Sequence, residues 1–254
     1  MLFVNNSPYN KKWLEESERI IMPENRFYTT EDLKKGETVI LNEKESHHLS
    51  RVMRKKVGEK VELVNGRHVL AYGCISDIGK NSASVKIDTV KIQEPPTRKI
   101  ILAQAHTRPN SLDWIIEKGT ELGAHEFWLY PSELSELRIL PPRIKERLQT
   151  IAISAMKQCG RLDLPRLEYK NSLASLDSID SMKYFGDLNK EALSFERAYV
   201  PHFVSIFFIG PESGFTSKEV HFLHHLGAKG VHLHSNILRA ETAACVALTL
   251  LTYT

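Results

Sequence analysis

Two adjacent prolines, Pro95 and Pro96, divide this chain into halves with different periodicities. Proline lacks an amide hydrogen and pushes the residue before it out of helical geometry, so no regular element crosses Gln93-Glu94-Pro95-Pro96. Upstream the apolar residues come in short runs between turns. Downstream, strand-like runs alternate with amphipathic helical stretches. Layers built from such different patterns bury separate cores, and 254 residues suffice for two. The expected division is an extension over residues 1–24, a small domain over 25–94 and a larger one over 98–254.

In the first half the runs are 38–41, 60–64, 69–75 and 83–90. Val61 and Leu63, and Val85 and Ile87, alternate with polar residues, and Asn65-Gly66 signals a hairpin. This reads as a small antiparallel barrel. Residues 45–56 break the alternation with Leu49, Val52 and Met53 at helical spacing, which predicts one short helix against the barrel. Residues 1–24 show no clean period.

In the second half 99–105 reads as a strand and 111–122 as a helix with Leu112, Ile115, Ile116, Gly119 and Leu122 on one face. A strand over 126–130 and a long helix over 142–159 follow, then shorter strands near Leu167 and Tyr184. Residues 204–209, apolar except for Ser205, form the kind of run expected of a strand covered on both faces. Thr216 and Glu219 make a capping box for the next helix. The last strand is read at 231–233. The last helix, 240–251, is apolar nearly all round, an excess that invites a subunit interface.

Two loops stand out in this α/β half: Gly210-Pro211-Glu212-Ser213-Gly214-Phe215-Thr216, and Leu233-His234-Ser235-Asn236-Ile237-Leu238-Arg239-Ala240-Glu241-Thr242-Ala243. Each follows a strand and opens a helix, and ligands of such sheets bind at the carboxyl ends of the strands. Taken alone, the first is a turn that needs glycine for its backbone. Its other reading is a cradle of free amides at a helix N-terminus, where a ligand can approach closely. Neither a phosphate-loop ending nor a dinucleotide fingerprint is present.

Composition narrows the field. A net charge of +3 is too mild to demand a polyanionic partner by itself. Three scattered cysteines, Cys74, Cys159 and Cys245, suit a reducing compartment rather than a disulfide framework. Lys11, Lys12, Glu15, Glu16 and Glu18 stand where a secretory signal would need apolar residues, and no apolar stretch approaches membrane-spanning length; the expected location is the cytoplasm. His221, His224 and His225 at helical spacing, with His232 and His234 after them, lack a cysteine or carboxylate to complete a ligand set, so no metal is expected.

Taken together, the loops resemble a known family. GPESGFTSKE and LHSNILRAETA are similar to the two signatures of the RsmE family, ribosomal RNA uridine-N3 methyltransferases of the SPOUT class. Asp113-Trp114-Ile115-Ile116-Glu117-Lys118-Gly119-Thr120-Glu121-Leu122-Gly123, Gln158-Cys159-Gly160-Arg161 with Leu164-Pro165, and Ser46-His47-His48-Leu49 with Val52-Met53-Arg54 resemble further family segments, in order. The resemblance implies an N-terminal PUA-like β-barrel that binds RNA and a C-terminal SPOUT α/β domain with a deep trefoil knot. It also implies a homodimer acting on small-subunit (16S) ribosomal RNA with S-adenosyl-L-methionine as cofactor. The chain departs from the family pattern where Ser213 and His234 stand in place of glycine, and where Asn236, and Leu134 within Ser132-Glu133-Leu134-Ser135, stand in place of arginine.

On that resemblance, Gly210, Pro211, Glu212, Ser213, Gly214, Leu233, Ile237 and Leu238 would hold the cofactor. Methylating N3 requires loss of a weakly acidic proton and stabilisation of charge on the neighbouring carbonyl oxygens, work that suits a guanidinium. Arg239 and Arg161 are the candidates; Arg239 could equally tie down its loop. Glu241 would take the proton or orient Arg239. Arg26, Arg51, Arg54, Lys55 and Lys56 fit a solvated face as readily as a phosphate-binding one; with Gln158, the resemblance assigns them to RNA. An RNA-binding protein that has lost catalysis, or a SPOUT methyltransferase with another RNA target, remains the rival reading.

Overall fold

A computed structural model describes residues 25–176, 179–189 and 191–253; the extension read over 1–24 lies outside the described residues. The first sheet contains β1 (Arg26–Tyr28), β2 (Thr38–Leu41), β3 (Lys60–Val64), β4 (Val69–Ile78) and β5 (Ala83–Ile92), in the order β1-β3-β4-β5-β2. It is not purely antiparallel as expected: β1 runs parallel to β3, pairing Arg26 with Glu62 and Tyr28 with Val64. Register shifts between Tyr72 and Gly73 and between Ile75 and Asp77 bend the long β4–β5 pair. Its core gathers Phe27, Leu41, Leu49, Leu63, Ile75 and Val85.

The expected short helix is α1 (Glu43–His47), continued by one π-helical turn over His48–Val52. Asn42 caps it by accepting the Glu45 amide at 2.9 Å. Leu49 is buried and Met53 half-buried, but Val52 is 62% exposed. The wider π turn rotates Val52 off the face that helical spacing predicted.

The second sheet contains β6 (Lys99–Ala105), β7 (Glu126–Tyr130), β8 (Arg166–Tyr169), β9 (Met182–Gly186), β10 (Leu193–Ser194), β11 (Val204–Ile209) and β12 (Lys229–His232), in the order β10-β12-β9-β11-β6-β7-β8. Every neighbouring pair is parallel. The helices are α2 (Pro109–Glu121), α3 (Pro142–Cys159), α4 (Phe195–Ala198), α5 (Ser217–His225) and α6 (Ala240–Tyr253). Phe207 and Ile209 face the core shared with α2, α3 and α6, whereas Ile206 and Phe208 face the core under α5. Both faces of β11 are therefore covered, which is why its sequence does not alternate.

The two sheets meet through a small apolar cluster of Val64, Leu70 and Met156 flanked by Tyr28, Tyr72, Leu162 and Leu164. Residues 65–68 connect β3 to β4, and Arg67 in this connection forms an isolated bridge with Asp163. Lys157 on α3 reaches Glu45 on α1 at 2.7 Å. No helix of the described residues is long and apolar enough to cross a membrane.

Candidate functional site

Because all strands of the second sheet run the same way, the connections after β6, β7, β9, β11 and β12 emerge at one edge. After β11 the chain turns at once: Gly214 donates its N–H to Pro211 O at 2.9 Å and takes φ of 77°. Only glycine adopts that angle without strain. Thr216 then caps α5, accepting from Glu219 N at 3.2 Å while Glu219 accepts from Thr216 N at 3.0 Å. Glu219 is buried, and its other oxygen accepts the Glu133 amide at 2.9 Å, tying the connection after β7 to this helix start. Glu212 likewise accepts the Arg108 amide at 3.0 Å.

After β12 the second loop is shaped by the His234 ring, whose Nδ1 accepts the Asn236 amide at 3.0 Å. Arg239 O accepts from Ala243 N at 2.8 Å and so begins α6. Neither Ser213 nor His234 needs a positive φ, so the departures from glycine at these positions carry no backbone strain.

Between the two loops lies a cavity of about 350 Å³, in the range of small-molecule sites. Gly210, Pro211, Glu212, Ser213, Gly214, Leu233, Ile237 and Leu238 all line it, so the structure brings the residues read as cofactor-binding into one place. The sequence reading missed its third wall, Phe185, Gly186, Asp187 and Leu188 at the end of β9. The signal was available, since that strand end obeys the same carboxyl-edge rule.

The residues read as catalytic separate. Arg239 lies between the lining residues Leu238 and Ala240, with its side chain exposed. Glu241 is half-buried in the first turn of α6, and among the described residues no ion pair joins it to Arg239. Arg161 is not at the cavity. Its Nη1 donates to Thr120 O at 2.7 Å and Ala124 O at 2.8 Å, and its Nε donates to Asp163 at 3.1 Å. These groups precede β7, at the amino edge of the sheet, where Arg161 satisfies the carbonyls that end α2.

The basic residues divide as well. Arg26 is not free to meet a phosphate: its side chain is 8% exposed and pairs with Glu62 at 2.8 Å, because the β1–β3 register sets the two side by side. Lys55 pairs with Glu59 at 3.1 Å. Arg51, Arg54 and Lys56 are exposed and follow one another around the π turn. Gln158 stands apart, in a groove between α2 and α3 with Glu117, Lys118 and Ser154. Among the described residues no group of three or more His, Cys, Asp or Glu is placed to hold a metal ion.

Two polar groups under the same edge bear on stability. His106 is buried, with Nδ1 3.0 Å from Leu137 O and Nε2 unpartnered, and burial holds its pKa below the usual histidine value. Glu133, bound by Lys218 and Thr216, is held below the usual carboxylate range by those contacts.

Comparison with known proteins agrees with this geometry. A family model described as an RNA methyltransferase domain matches residues 93–252, and one described as an RNA methyltransferase PUA domain matches residues 41–88. The chain is 30% identical over 89% of its length to the ribosomal RNA small subunit methyltransferase E of Rickettsia conorii, covering 94% of that protein. It is 27% identical to the protein of the same name from Bacillus subtilis, covering 89% of this chain and 93% of the relative. Among solved structures, a ribosomal RNA small subunit methyltransferase E from Neisseria gonorrhoeae bound to S-adenosyl methionine superposes with a TM-score of 0.81 at 28% identity, covering 92% of this chain and 98% of that one. A putative methyltransferase from Legionella pneumophila, in complex with the bound cofactor SAM, gives 0.82 at 25% identity, covering 90% and 97%. The chain therefore belongs to the ribosomal RNA small subunit methyltransferase E family of RNA methyltransferases.

Proposed function

We propose that this protein methylates N3 of a uridine in small-subunit (16S) ribosomal RNA, using S-adenosyl-L-methionine. The observation that carries the reading is the cavity between the 210–216 and 233–239 loops, at the carboxyl edge of a parallel sheet in a chain of this family. Its lining suits the cofactor. Ile209, Val220, Leu233 and Leu238 offer apolar walls to an adenine ring, and the Gly210–Gly214 turn offers backbone groups without side chains in the way. Bound there, S-adenosylmethionine supplies a methyl group on a positively charged sulfur.

The chain's own residues then position the acceptor. Arg239, exposed beside the cavity and without an internal side-chain partner among the described residues, stabilises the negative charge that spreads to the uracil carbonyls as N3 loses its proton. Glu241, half-buried in the first turn of the same helix, orients Arg239 or takes that proton. Arg161 holds the end of α2 and the start of β7 in register. Arg51, Arg54 and Lys56, all exposed, supply the phosphate contacts that dock the RNA.

The same reading has the C-terminal segment threaded as a deep trefoil knot of the SPOUT class and the protein working as a homodimer in the cytoplasm. Support for the dimer is Trp114 on α2, 40% exposed, together with the half-buried Cys245 and Val246 of α6, the helix that packs against α2. The test is mass mapping of ribosomal RNA from a deletion strain, paired with titration of the purified protein with S-adenosylmethionine. A uridine that loses its methyl group, with binding at micromolar concentration, is expected. Binding without any change in small-subunit RNA would redirect the assignment to another RNA; no binding would leave an RNA-binding protein without catalysis.

A further inference from the structure

Asp187 is a carboxylate of the cavity lining with one oxygen that the fold leaves open. It stands directly after β9, where its N–H donates to Val231 O at 3.0 Å and carries the β9–β12 pairing one residue further. Its Oδ1 accepts the Asn189 amide at 2.9 Å, which fixes the side-chain direction. Oδ2 has no partner among the described residues. Gly230 on the neighbouring strand makes room for it: a Cβ there would lie 2.5 Å from Oδ2 and 3.1 Å from the Asp187 Cβ. The other acid of the lining, Glu212, stands in the loop after β11 and accepts the Arg108 amide through Oε1, which directs it toward the connection after β6.

Asp187 is half-buried, so its open oxygen exchanges water for any donors a bound ligand brings. We infer that Asp187 recognises the ribose of the bound nucleoside, accepting hydrogen bonds from its vicinal 2′ and 3′ hydroxyls. This rests on the reading of the cavity as an S-adenosylmethionine site. An acid at the carboxyl end of a parallel strand performs the same task in dinucleotide-binding sheets. The competing donor is the α-ammonium of the methionine part. That end of the ligand is a zwitterion, and no lysine or arginine lines the cavity to take its carboxylate, so a charge pair does not draw it to this place.

The test is calorimetric titration of the full-length protein and its Asp187→Asn, Asp187→Ala and Gly230→Ala variants with S-adenosylhomocysteine, 5′-methylthioadenosine and 3′-deoxy-5′-methylthioadenosine. Each variant should bind the first two ligands on the order of 10- to 100-fold more weakly, the worth of a hydrogen bond to a charged group. The deoxy compound should bind the native protein weakly and lose little more in Asp187→Ala. That comparison includes an arm on the native protein, so a variant that misfolds does not blunt it. Loss of S-adenosylhomocysteine affinity with methylthioadenosine unchanged would overturn the ribose assignment in favour of the ammonium. Unchanged affinity for both would overturn any role for Asp187. A native protein that binds none of the ligands would instead sink the cofactor reading on which the inference stands.

Discussion

Lys157 Nζ lies 2.7 Å from Glu45 Oε1 where the two sheets meet, with both side chains largely closed to water. The second Glu45 oxygen accepts the Tyr28 amide at 3.2 Å. Removing one member of a buried pair leaves the other charged and unpaired, which costs about 3–5 kcal/mol, more than the pair contributes when intact. Lys157→Met should therefore lower the unfolding free energy by about 3 kcal/mol, and adding Glu45→Gln should recover most of it. Urea unfolding of the single and double variants checks this; additive losses would show that the two residues are not coupled.

Gly119→Ala sets two effects against each other. Alanine favours a helix over glycine by about 1 kcal/mol. A Cβ at this position, however, would fall 2.6 Å from Cε1 and 2.7 Å from Cζ of the fully buried Phe127. Overpacking at that distance costs about 1–3 kcal/mol and should win. The variant should unfold at lower urea concentration than the native protein; greater stability would mean that α2 does not sit this closely on β7.

Gly214 and Ser213 are neighbours with opposite expectations. Gly214→Ala places a side chain at φ of 77° in open space, so the penalty is conformational alone, about 1 kcal/mol, and falls on the shape of the cofactor turn. Its affinity for S-adenosylhomocysteine should drop several-fold. Ser213→Gly restores the family residue where no positive φ is needed and should leave affinity within twofold. Calorimetry on both variants decides whether the departure at Ser213 matters.

Stability should fall on mild acidification. Burial holds the pKa of His106 and His125 below the ordinary value of about 6.5, and His125 Nδ1 accepts the Ile100 amide at 3.0 Å, which an imidazolium cannot do. The unfolded chain takes up these protons first. The stability of the neutral forms is thus complete above pH 6.5 and declines as pH falls toward the depressed values, by at most about 1.4 kcal/mol per pH unit for each group. His125→Asn keeps an acceptor for Ile100 without the titration, and should flatten the pH dependence of urea midpoints between pH 7 and 5.

The two arginines offered by the sequence should separate by readout. Arg161→Ala strips the carbonyls of Thr120 and Ala124 of their donor and leaves Asp163 alone, and should lower the melting temperature by several degrees while the folded fraction still binds cofactor. Arg239→Ala should leave the melting temperature within a degree and cut the methylation rate at least 100-fold, in line with the loss of one charge-stabilising donor. Thermal melts and single-turnover methylation of small-subunit RNA check both.

Much of this could be read along the chain because its causes are local. Five apolar residues out of six marked β11, Thr216 with Glu219 marked the start of α5, and Pro95-Pro96 marked the stop between the sheets. The two loops fell where strand-to-helix turns fell, so their residues were found together. The third wall at Asp187 follows β9, a strand whose Tyr184 and Phe185 are both buried and leave no alternation to set its bounds.

What the residue order determined by itself was most of the longer strands and helices, the Thr216–Glu219 cap and the edge at which a ligand would bind, all consequences of period, turn chemistry and strand direction. The tertiary structure alone decided which charged groups stay free to act. Arg26 is neutralised by Glu62, 36 positions away, through the parallel register of β1 on β3, and Arg161 is consumed by carbonyls 37 and 41 positions before it. Charge pairing depends on approach within a few ångströms, and that distance is set by register and helix packing, which no local pattern of residues records.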